Sequence, residues 1–370
     1  MTRPALDSNL DLDLTEVERH LDAGMTFPVA WYTDPGIYRL EFEAFHRNSW
    51  QAICFSRRVA GPGDHAVGTV GDVPIVIVRG EDMVLRGFIN VCRHRAFPLA
   101  TCDGSRKTLQ CAYHAWTYDL DGRLRAAPRS DHEPGFDKDA FGLLPVAVEE
   151  VAGFAWAHPN PDAPPLAEEH PTLHALADEW DFDTEPYTIE RGRHHFDVAA
   201  NWKVFVENGS ECYHCDTVHK DSFGDAFDVS PEEYLYVNRD RLIGQHAKPN
   251  PRAKRFTGGK GHYRYVFVWP CTMLEFDDVL ASVLTVRPTG PESCRVEYET
   301  WAHRDADPAT IEAWDDLYLR TNTEDVEVVA LQQPNLTANA VPYGRLMPNA
   351  ESAIAHFHRI VFEEVRAAIS

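Results

Sequence analysis

The spacing of apolar residues divides the chain into an all-β stretch and a later mixed stretch. Between residues 51 and 158, short runs rich in β-branched and aromatic residues alternate with turns that contain Gly and Asp. Such runs are typical of short strands in an antiparallel sheet or barrel. The segment 158–171, HPNPDAPPLAEEHP, contains five prolines and is predicted to be a linker.

Helical and strand patterns alternate beyond this linker. Apolar residues at helical spacing also predict a short amphipathic helix before the all-β stretch, over residues 38–50. Asp307 is a suitable N-cap for the first of two long C-terminal helices. The predicted elements of the mixed stretch are a helix over 201–215, strands over 263–276, 282–287 and 293–303, and helices over 308–333 and 350–369.

Composition and charge exclude several classes of protein. The 370 residues include 35 Lys and Arg against 58 Asp and Glu, a net charge of −23, which is a poor match for a nucleic-acid backbone. No segment approaches the roughly 20 apolar residues that span a membrane, and the N-terminus lacks the apolar core of a secretory signal. We therefore expect a cytoplasmic protein that binds neither nucleic acid nor a membrane. In that reducing compartment, its eight cysteines are expected to serve in metal binding or packing.

Two cysteines and two histidines form the first candidate metal site. Cys92-Arg-His94 and Cys111-Ala-Tyr-His114 are separated by sixteen residues within the all-β stretch. A Cys2His2 zinc finger pairs like ligands, whereas each half here carries one cysteine and one histidine. This mixed pairing suits a two-iron cluster with both cysteines on one iron and both histidines on the other. The alternative is a chance arrangement of buried cysteines and hydrogen-bonded histidines.

A carboxylate and two histidines form the second candidate site. Glu211, His214 and His219 follow the pattern E-x2-H-x4-H within residues 201–219, NWKVFVENGSECYHCDTVH. Glu211 and His214 are expected on one helix face, but His214 and His219 lie about 140° apart on a regular helix. The helix is therefore predicted to distort or end near residues 215–218. Two imidazoles and a carboxylate are the facial triad of a mononuclear non-haem Fe(II) site.

Two other interpretations of this segment stay open. It is compatible with a core helix whose histidines are incidental. It is also compatible with a zinc or redox site built from Cys212-Tyr-His-Cys215, because C-x-x-C is a common metal and redox motif.

The first motif, CRHR…CAYHAWTYDLDGRL, resembles the Rieske [2Fe–2S] domain over about residues 48–130. It is similar to the oxygenase branch, because the respiratory branch has an additional cysteine pair and Cys102 has no second loop cysteine to pair with. The family usually has glycine or proline at three loop positions that are occupied here by Ala96, Ala112 and Ala115. Glycine permits positive φ or close backbone approach, so these alanines bear on the potential of the cluster and not on its ligation.

The second motif resembles the iron-site helix of Rieske non-haem iron oxygenases, N-W-K…E-N…(D/E)-x-x-H-x4-H. The resemblance implies that Glu211 is not an iron ligand but a bridge between His214 and the Rieske ligand His114 of a neighbouring subunit. For the third iron ligand, the resemblance points to a carboxylate of a downstream helix with a Glu-Asp pair, which residues 323–326 match. We choose Asp325, with Glu324 and Glu327 as competitors.

The family resemblance also implies a fold and a domain arrangement. We expect an α+β protein with a small all-β Rieske domain and a helix-grip-like catalytic domain that contains a curved antiparallel sheet. Residues 1–47 are expected to pack with the catalytic domain, residues 48–160 to form the Rieske domain, and residues 161–370 to form the catalytic domain. Within the sheet region 263–303, and in the helix before it, the expected substrate-pocket residues are Phe205, Trp269, Met273 and Phe276.

The implied function is that of the terminal oxygenase of a Rieske-type system. A separate ferredoxin or flavin reductase would deliver electrons from NAD(P)H to one [2Fe–2S] cluster and on to one mononuclear Fe(II), where O2 is used to hydroxylate a small organic substrate. The implied assembly is a homotrimer. The substrate is either a quaternary ammonium compound or an aromatic compound of a catabolic pathway, with monooxygenation and dioxygenation both open. The alternative is a Rieske electron-transfer or binding protein whose second metal site is inactive.

Overall fold

The computed structural model describes residues 12–370, which form two compact units. One unit comprises residues 47–169, and the other comprises residues 12–46 together with 170–370. The first eleven residues, on which the expectation about a secretory signal rests, lie outside the described part of the chain. Within the described part, no helix is both long enough and apolar enough to cross a membrane.

Helices are concentrated in the second unit, and only α4 belongs to the first. The α-helices, numbered in chain order, are α1 (Leu14–Asp22), α2 (Ala30–Thr33), α3 (Pro35–Glu41), α4 (Leu166–Glu169), α5 (Pro171–Glu179), α6 (Trp202–Gly209), α7 (Cys215–Val218), α8 (Phe223–Ala226), α9 (Pro308–Thr337) and α10 (Ser352–Ile369). The helix predicted over residues 38–50 is thus the end of α3, followed by a π-helical turn at Phe42–His46. Asp307 caps α9 as predicted, because its Oδ1 accepts the backbone N–H groups of Ala309 and Thr310.

The first unit consists mainly of short antiparallel strands, as the sequence predicts. Seven of them form one sheet of order β1-β10-β9-β4-β3-β2-β5, and three form a small sheet of order β6-β7-β8. These strands are β1 (Gln51–Phe55), β2 (Asp64–Val70), β3 (Val73–Arg79), β4 (Leu85–Ile89), β5 (Gly104–Ser105), β6 (Leu109–Gln110), β7 (Thr117–Tyr118), β8 (Leu124–Ala126), β9 (Pro145–Val151) and β10 (Phe154–His158).

A separate apolar cluster lies beneath the loops of the first unit. Cys92 and Cys111 are buried in it together with Leu109, Trp116 and Tyr118. Because both cysteines belong to this core, the loops that follow them are held at fixed positions.

The second unit is built on one curved sheet of seven antiparallel strands. Its order is β11-β17-β16-β15-β14-β13-β12. The strands are β11 (Tyr187–Val198), β12 (Leu235–Arg239), β13 (Leu242–Ala247), β14 (Tyr263–Val268), β15 (Thr272–Phe276), β16 (Leu280–Gly290) and β17 (Ser293–His303). The single strand predicted over residues 263–276 is therefore two strands, β14 and β15, which pair as a hairpin.

Helix α6 is fixed by a buried ion pair. The Nζ atom of Lys203 lies 2.7 Å from both carboxylate oxygens of Glu41, and the indole of Trp202 donates to the same carboxylate at 2.9 Å. Both charged side chains are almost completely buried, and the ion pair and the indole hydrogen bond offset the cost of removing these charges from water. The Asn201-Trp202-Lys203 run thereby joins α6 to the end of α3.

Helix α9 is held against the sheet by one buried carboxylate. Asp277 accepts hydrogen bonds from the indole of Trp314 at 3.1 Å and from the hydroxyl of Tyr318 at 2.8 Å. Its other oxygen accepts the backbone N–H groups of Val279 and Leu280. Asp325 lies two helical turns after Tyr318, so this attachment sets which residues α9 presents to the neighbouring helices.

Candidate metal centres and the adjoining cavity

The first predicted metal loop, which carries Cys92 and His94, closes through its backbone. Cys92 N donates to Phe97 O at 2.8 Å, and Ala96 N donates to Cys92 O at 3.1 Å. The loop therefore buries the cysteine and leaves His94 exposed at its tip.

The second loop, which carries Cys111 and His114, repeats the same pattern. Cys111 N donates to Trp116 O at 2.8 Å, and Ala115 N donates to Cys111 O at 3.0 Å. Cys111 is buried and His114 is exposed, as in the first loop. The two loops thus present one thiol and one imidazole each with equivalent backbone geometry.

The four predicted ligands divide into a buried thiol pair and an exposed imidazole pair. The rings of His94 and His114 are 4.6 Å apart between centroids and nearly perpendicular. This division fits a cluster whose inner iron is held by Cys92 and Cys111 and whose outer iron is held by the histidines.

Tyr118 makes a contact to the thiol pair that sequence reasoning missed. Its hydroxyl oxygen lies 3.4 Å from the Sγ atom of Cys92 and accepts the backbone N–H of Arg93 at 3.1 Å. Because the oxygen already accepts a hydrogen bond from the backbone, its own proton is free to be donated to the sulfur.

Two of the three loop alanines adopt a backbone conformation that favours glycine. Ala96 has φ of 56° and Ala115 has φ of 58°. Ala112 is not among the described residues with positive φ. The left-handed conformation costs a residue with a Cβ atom about 1–2 kcal/mol, so Ala96 and Ala115 are strained where glycine is not.

The helix that carries the second motif ends earlier than predicted. α6 stops at Gly209, and the hydroxyl of Ser210 donates back to the carbonyl of Val206 at 2.6 Å. Glu211 then follows in a turn, where its carboxylate accepts the backbone N–H groups of Tyr213 and His214 ahead of α7. The prediction that Glu211 and His214 share a helix face is therefore wrong, because the chain leaves the helix before either residue.

His214, His219 and Asp325 converge on one point. The Nε2 atoms of the two histidines are 3.1 Å apart, and Asp325 Oδ1 lies 2.9 Å from His219 Nε2 and 3.4 Å from His214 Nε2. Two ligands at right angles on a metal with bonds of about 2.1 Å are about 3 Å apart. The three atoms therefore fit three neighbouring positions around an octahedral metal ion.

The outer nitrogen of each histidine contacts a different carboxylate. His214 Nδ1 lies 2.5 Å from Glu211 Oε1, and His219 Nδ1 lies 2.8 Å from Glu324 Oε2. Glu324 also accepts hydrogen bonds from Ser222 and Arg320, which hold it in place. Glu324, one of the two alternatives to Asp325 as third metal ligand, thus contacts the ring nitrogen of His219 that points away from the convergence point.

Glu327, the other competitor, is exposed on α9. It is not part of the group of side chains that converge with His214 and His219.

The protonation of this group also fits a metal site. Burial lowers the pKa of His214, but hydrogen bonds with Asp325 and Glu211 outweigh burial and raise the pKa to about 10. Burial raises the pKa of Asp325, but the two histidines outweigh it and lower the pKa to about 2. Without a metal, protons therefore supply positive charge between the carboxylates, and a divalent cation supplies the same charge when bound.

Cys212 and Cys215, which flank His214 in the chain, are joined by a disulfide bond. The sequence predicts metal or packing roles for the cysteines, and this prediction is wrong for Cys212 and Cys215. Sulfurs bonded to each other do not bind zinc as thiolates, so the alternative zinc site has no support. Cys92 and Cys111 are free.

A cavity adjoins His214, His219 and Asp325. Two of the four predicted pocket residues, Phe205 and Met273, line it. Its other apolar and aromatic lining residues, which sequence reasoning missed, are Phe223, Tyr234, Tyr263, Tyr265 and Leu284.

The other two predicted pocket residues, Trp269 and Phe276, do not line this cavity. Trp269 is buried in the core against Phe45 and Trp202. Phe276 alternates with Glu275 along β15 and stacks on Phe182. Successive side chains of a strand point to opposite faces, so Glu275 and Phe276 cannot both face the cavity.

Two family models match the chain in the order of its two units. The model described as "Rieske [2Fe-2S] domain" matches residues 49–146. The model described as "Ring hydroxylating alpha subunit (catalytic domain)" matches residues 188–367. Both candidate metal centres lie largely within these matches.

Known proteins resemble the chain over most of its length. The carnitine monooxygenase oxygenase subunit of Escherichia coli (strain K12) is 31% identical over 353 residues, which cover 91% of this chain and 92% of that protein. The chloroplastic choline monooxygenase of Arabidopsis thaliana is 28% identical and covers 94% of this chain and 84% of its own length.

One solved structure, of the quaternary ammonium Rieske monooxygenase CntA in complex with substrate L-carnitine, superposes with a TM-score of 0.81. It is 28% identical, and the match covers 92% of this chain and 95% of that chain. Relatives that match over nearly their whole length share both units, in the same order, with this protein. The chain therefore belongs to the Rieske non-haem iron oxygenases, the monooxygenases and dioxygenases that combine a [2Fe–2S] cluster with a mononuclear iron and draw electrons from a reductase.

Proposed function

We propose that this oxygenase hydroxylates a carbon next to the nitrogen of a quaternary ammonium compound. The aromatic cavity beside His214, His219 and Asp325 carries the proposal. Aromatic faces attract cations that cannot donate hydrogen bonds, which is how quaternary ammonium groups are recognised. Relatives named for carnitine, choline and glycine betaine support the same substrate class.

The ligand sets are part of the proposal. The [2Fe–2S] cluster is held by Cys92, His94, Cys111 and His114. The mononuclear iron is held by His214, His219 and Asp325. When bound, the cluster supplies electrons and the iron activates O2. Glu324 holds His219 in the tautomer whose Nε2 is free to bind a metal, and Glu211 does the same for His214.

Domain boundaries follow from these assignments. We assign residues 48–160 to the Rieske domain and residues 161–370 to the catalytic domain, together with the N-terminal segment 1–47, of which residues 12–47 are described. The compact units at 47–169 and at 12–46 with 170–370 support this division. So does the ion pair between Glu41 and Lys203.

Glu211 is the proposed bridge between subunits. One of its oxygens is engaged with His214, and the neighbouring subunit's His114 would donate to the carboxylate from the other side. On their own units, His114, Tyr113 and Tyr213 are exposed, which leaves both surfaces available for such contact. Head-to-tail contact of this kind closes into a ring, and we propose a homotrimer. Mass measurement of the purified holoprotein in solution tests the trimer.

We also propose that a ferredoxin or flavin reductase delivers electrons to the cluster. Its electrons derive from NAD(P)H, and we propose that the reaction takes place in the cytoplasm.

Reconstituted turnover tests the proposed function. Purified protein with a surrogate reductase, NADH and O2 is supplied in turn with choline, glycine betaine, L-carnitine and naphthalene. We expect oxidation of at least one quaternary ammonium compound, with O2 consumption matched to product. Dihydroxylation of naphthalene alone would establish aromatic dioxygenation, the other activity that the resemblance implied, and would overturn the proposal.

A further inference from the structure

Strand register brings one acidic residue to the cavity face of the sheet. Tyr265 of β14 pairs with Gln245 of β13 on one side and with Glu275 of β15 on the other. Residues that pair directly across strands share a face. Tyr265, Gln245 and Glu275 all line the cavity, and Met273, two residues before Glu275, lines it as well.

The carboxylate of Glu275 is only half satisfied. Its Oε1 accepts the hydroxyl of Tyr263 at 2.8 Å, whereas its Oε2 is buried without a hydrogen-bond partner in the described residues. Asp277, two residues later, has both oxygens engaged by four donors. A buried carboxylate oxygen without a hydrogen-bond partner lowers the stability of the fold. Glu275 therefore differs from Asp277, whose carboxylate is fully hydrogen-bonded within the protein.

No lysine or arginine supplies the missing partner, because none of the described residues that line the cavity is Lys or Arg. The two other acids of the lining, Glu211 and Asp325, are engaged by His214 and His219. Glu275 is thus the lining acid that is left without a cationic partner. Burial raises its pKa to about 7, and a cation bound beside it favours the charged form.

The same lining contains no Lys or Arg among the described residues to bind an anion. Of its amides, Gln245 Nε2 donates to Gly209 O at 2.7 Å, Asn322 Nδ2 donates to Tyr318 O at 2.9 Å, and Asn208 Nδ2 lies 3.5 Å from His214 Nε2. Two hydroxyl groups, of Thr321 and Tyr265, are buried without partners in the described residues. Hydroxyls suit a neutral polar group of a ligand, whereas a carboxylate needs a cation or several donors.

We infer that Glu275 is the counter-charge for the cationic nitrogen of the substrate, and that this substrate is a choline-like cation without a carboxylate. The inference rests on the proposed function and narrows its substrate class. A trialkylammonium group cannot donate a hydrogen bond, so it is held by the charge of Glu275 and by the aromatic rings of Tyr263 and Tyr265. A neutral hydroxyl at the other end of the substrate would meet Thr321.

Binding to the holoprotein, measured by calorimetry in the absence of O2, tests the inference. The probes are choline, its uncharged isostere 3,3-dimethylbutan-1-ol, and L-carnitine. We expect choline to bind at least about tenfold more tightly than the other two probes. In Glu275→Gln, choline should lose about tenfold or more in affinity, while the uncharged isostere changes by less than about twofold. Glu297→Gln is the matched control. Glu297 lies on the opposite face of β17 from its neighbour Tyr298, and its carboxylate forms an ion pair with Arg287. The control variant should bind all probes as the wild type does.

The outcomes separate this inference from the proposed function. Equal preference for choline over its isostere in the wild type and in Glu275→Gln would overturn the role of Glu275. Tighter binding of L-carnitine than of choline would overturn the exclusion of a carboxylate. If neither cation bound or turned over in fully loaded wild-type protein, the proposed function itself would fail. The wild-type comparison of choline with its isostere decides the role of charge even if Glu275→Gln does not fold.

Discussion

The Nε2 atom of His219 lies 2.9 Å from Oδ1 of Asp325, although the two residues are 106 positions apart in the chain. Helix α9 delivers Asp325 to this point because Asp277 holds the preceding turns of the helix through Trp314 and Tyr318. The opposite nitrogen of His219 faces Glu324, the residue before Asp325. The two adjacent carboxylates thus contact different nitrogens of one histidine: Asp325 contacts Nε2 and Glu324 contacts Nδ1.

This difference predicts distinct effects of two neighbouring alanine variants. Asp325→Ala should lose the mononuclear iron and keep the cluster, so the iron content should fall from about three to about two per chain. Glu324→Ala should retain most of the iron, because it removes only the group that orients His219; losses of orienting groups typically weaken metal affinity about 10–100-fold. Metal analysis after dialysis measures both. Full iron content in Asp325→Ala together with loss in Glu324→Ala would reverse the assignment.

Tyr118 should tune the potential of the cluster. A hydrogen bond to a cluster sulfur stabilises the more negative, reduced state, and Tyr118 lies 3.4 Å from Cys92 Sγ. Tyr118→Phe removes only the hydroxyl, so we expect an intact cluster with a lower reduction potential, measured by a redox titration followed by EPR. An unchanged potential with a normal spectrum would show that the hydroxyl does not donate to the sulfur.

The strained alanines predict opposite effects of two glycine substitutions in one loop. Ala115→Gly relieves a positive φ, whereas Ala112→Gly adds only flexibility. We expect Ala115→Gly to be the more stable of the two by about 1 kcal/mol. Thermal loss of the visible absorbance of the cluster measures the difference. A lower midpoint for Ala115→Gly than for Ala112→Gly would contradict the strain.

Glu211→Gln should separate metal binding from electron transfer. The substitution keeps the volume but removes the charge and one acceptor from the contact with His214. We expect nearly normal iron content and a cluster that the reductase still reduces, with a steep fall in product formed. Loss of the mononuclear iron in this variant would instead identify Glu211 as an iron ligand.

Most candidate ligands could be predicted from the sequence because they lie in short motifs. Cys92 with His94, and Cys111 with His114, are so close in the chain that the local loop geometry is enough to bring each pair together. The same holds for His214 and His219. Asp325 could be narrowed only to a short acidic segment, because α9 docks through Asp277, which lies far away in the chain.

What sequence reasoning missed depends on register and on where helices end. The stop of α6 at Gly209 turns Glu211 from a helical residue into a cap of the following turn. The alternation of residues indicates that Tyr263 and Tyr265 share one face of β14 and that Glu275 lies on one face of β15. Only the pairing between strands shows that these faces line the cavity. The predicted pocket residues Trp269 and Phe276 do not line the cavity, whereas Glu275, the neighbour of Phe276 on the opposite face of β15, does.

A single turnover tests the central claim most directly. Wild-type protein with both metal centres reduced is mixed with choline and O2 in the absence of reductase, and cluster oxidation and product are followed together. The two centres supply the two electrons that monooxygenation needs, so we predict that oxidised choline forms in step with oxidation of the cluster, up to about one product per mononuclear iron. Oxidation of the cluster without product from choline or any other quaternary ammonium compound would contradict the account.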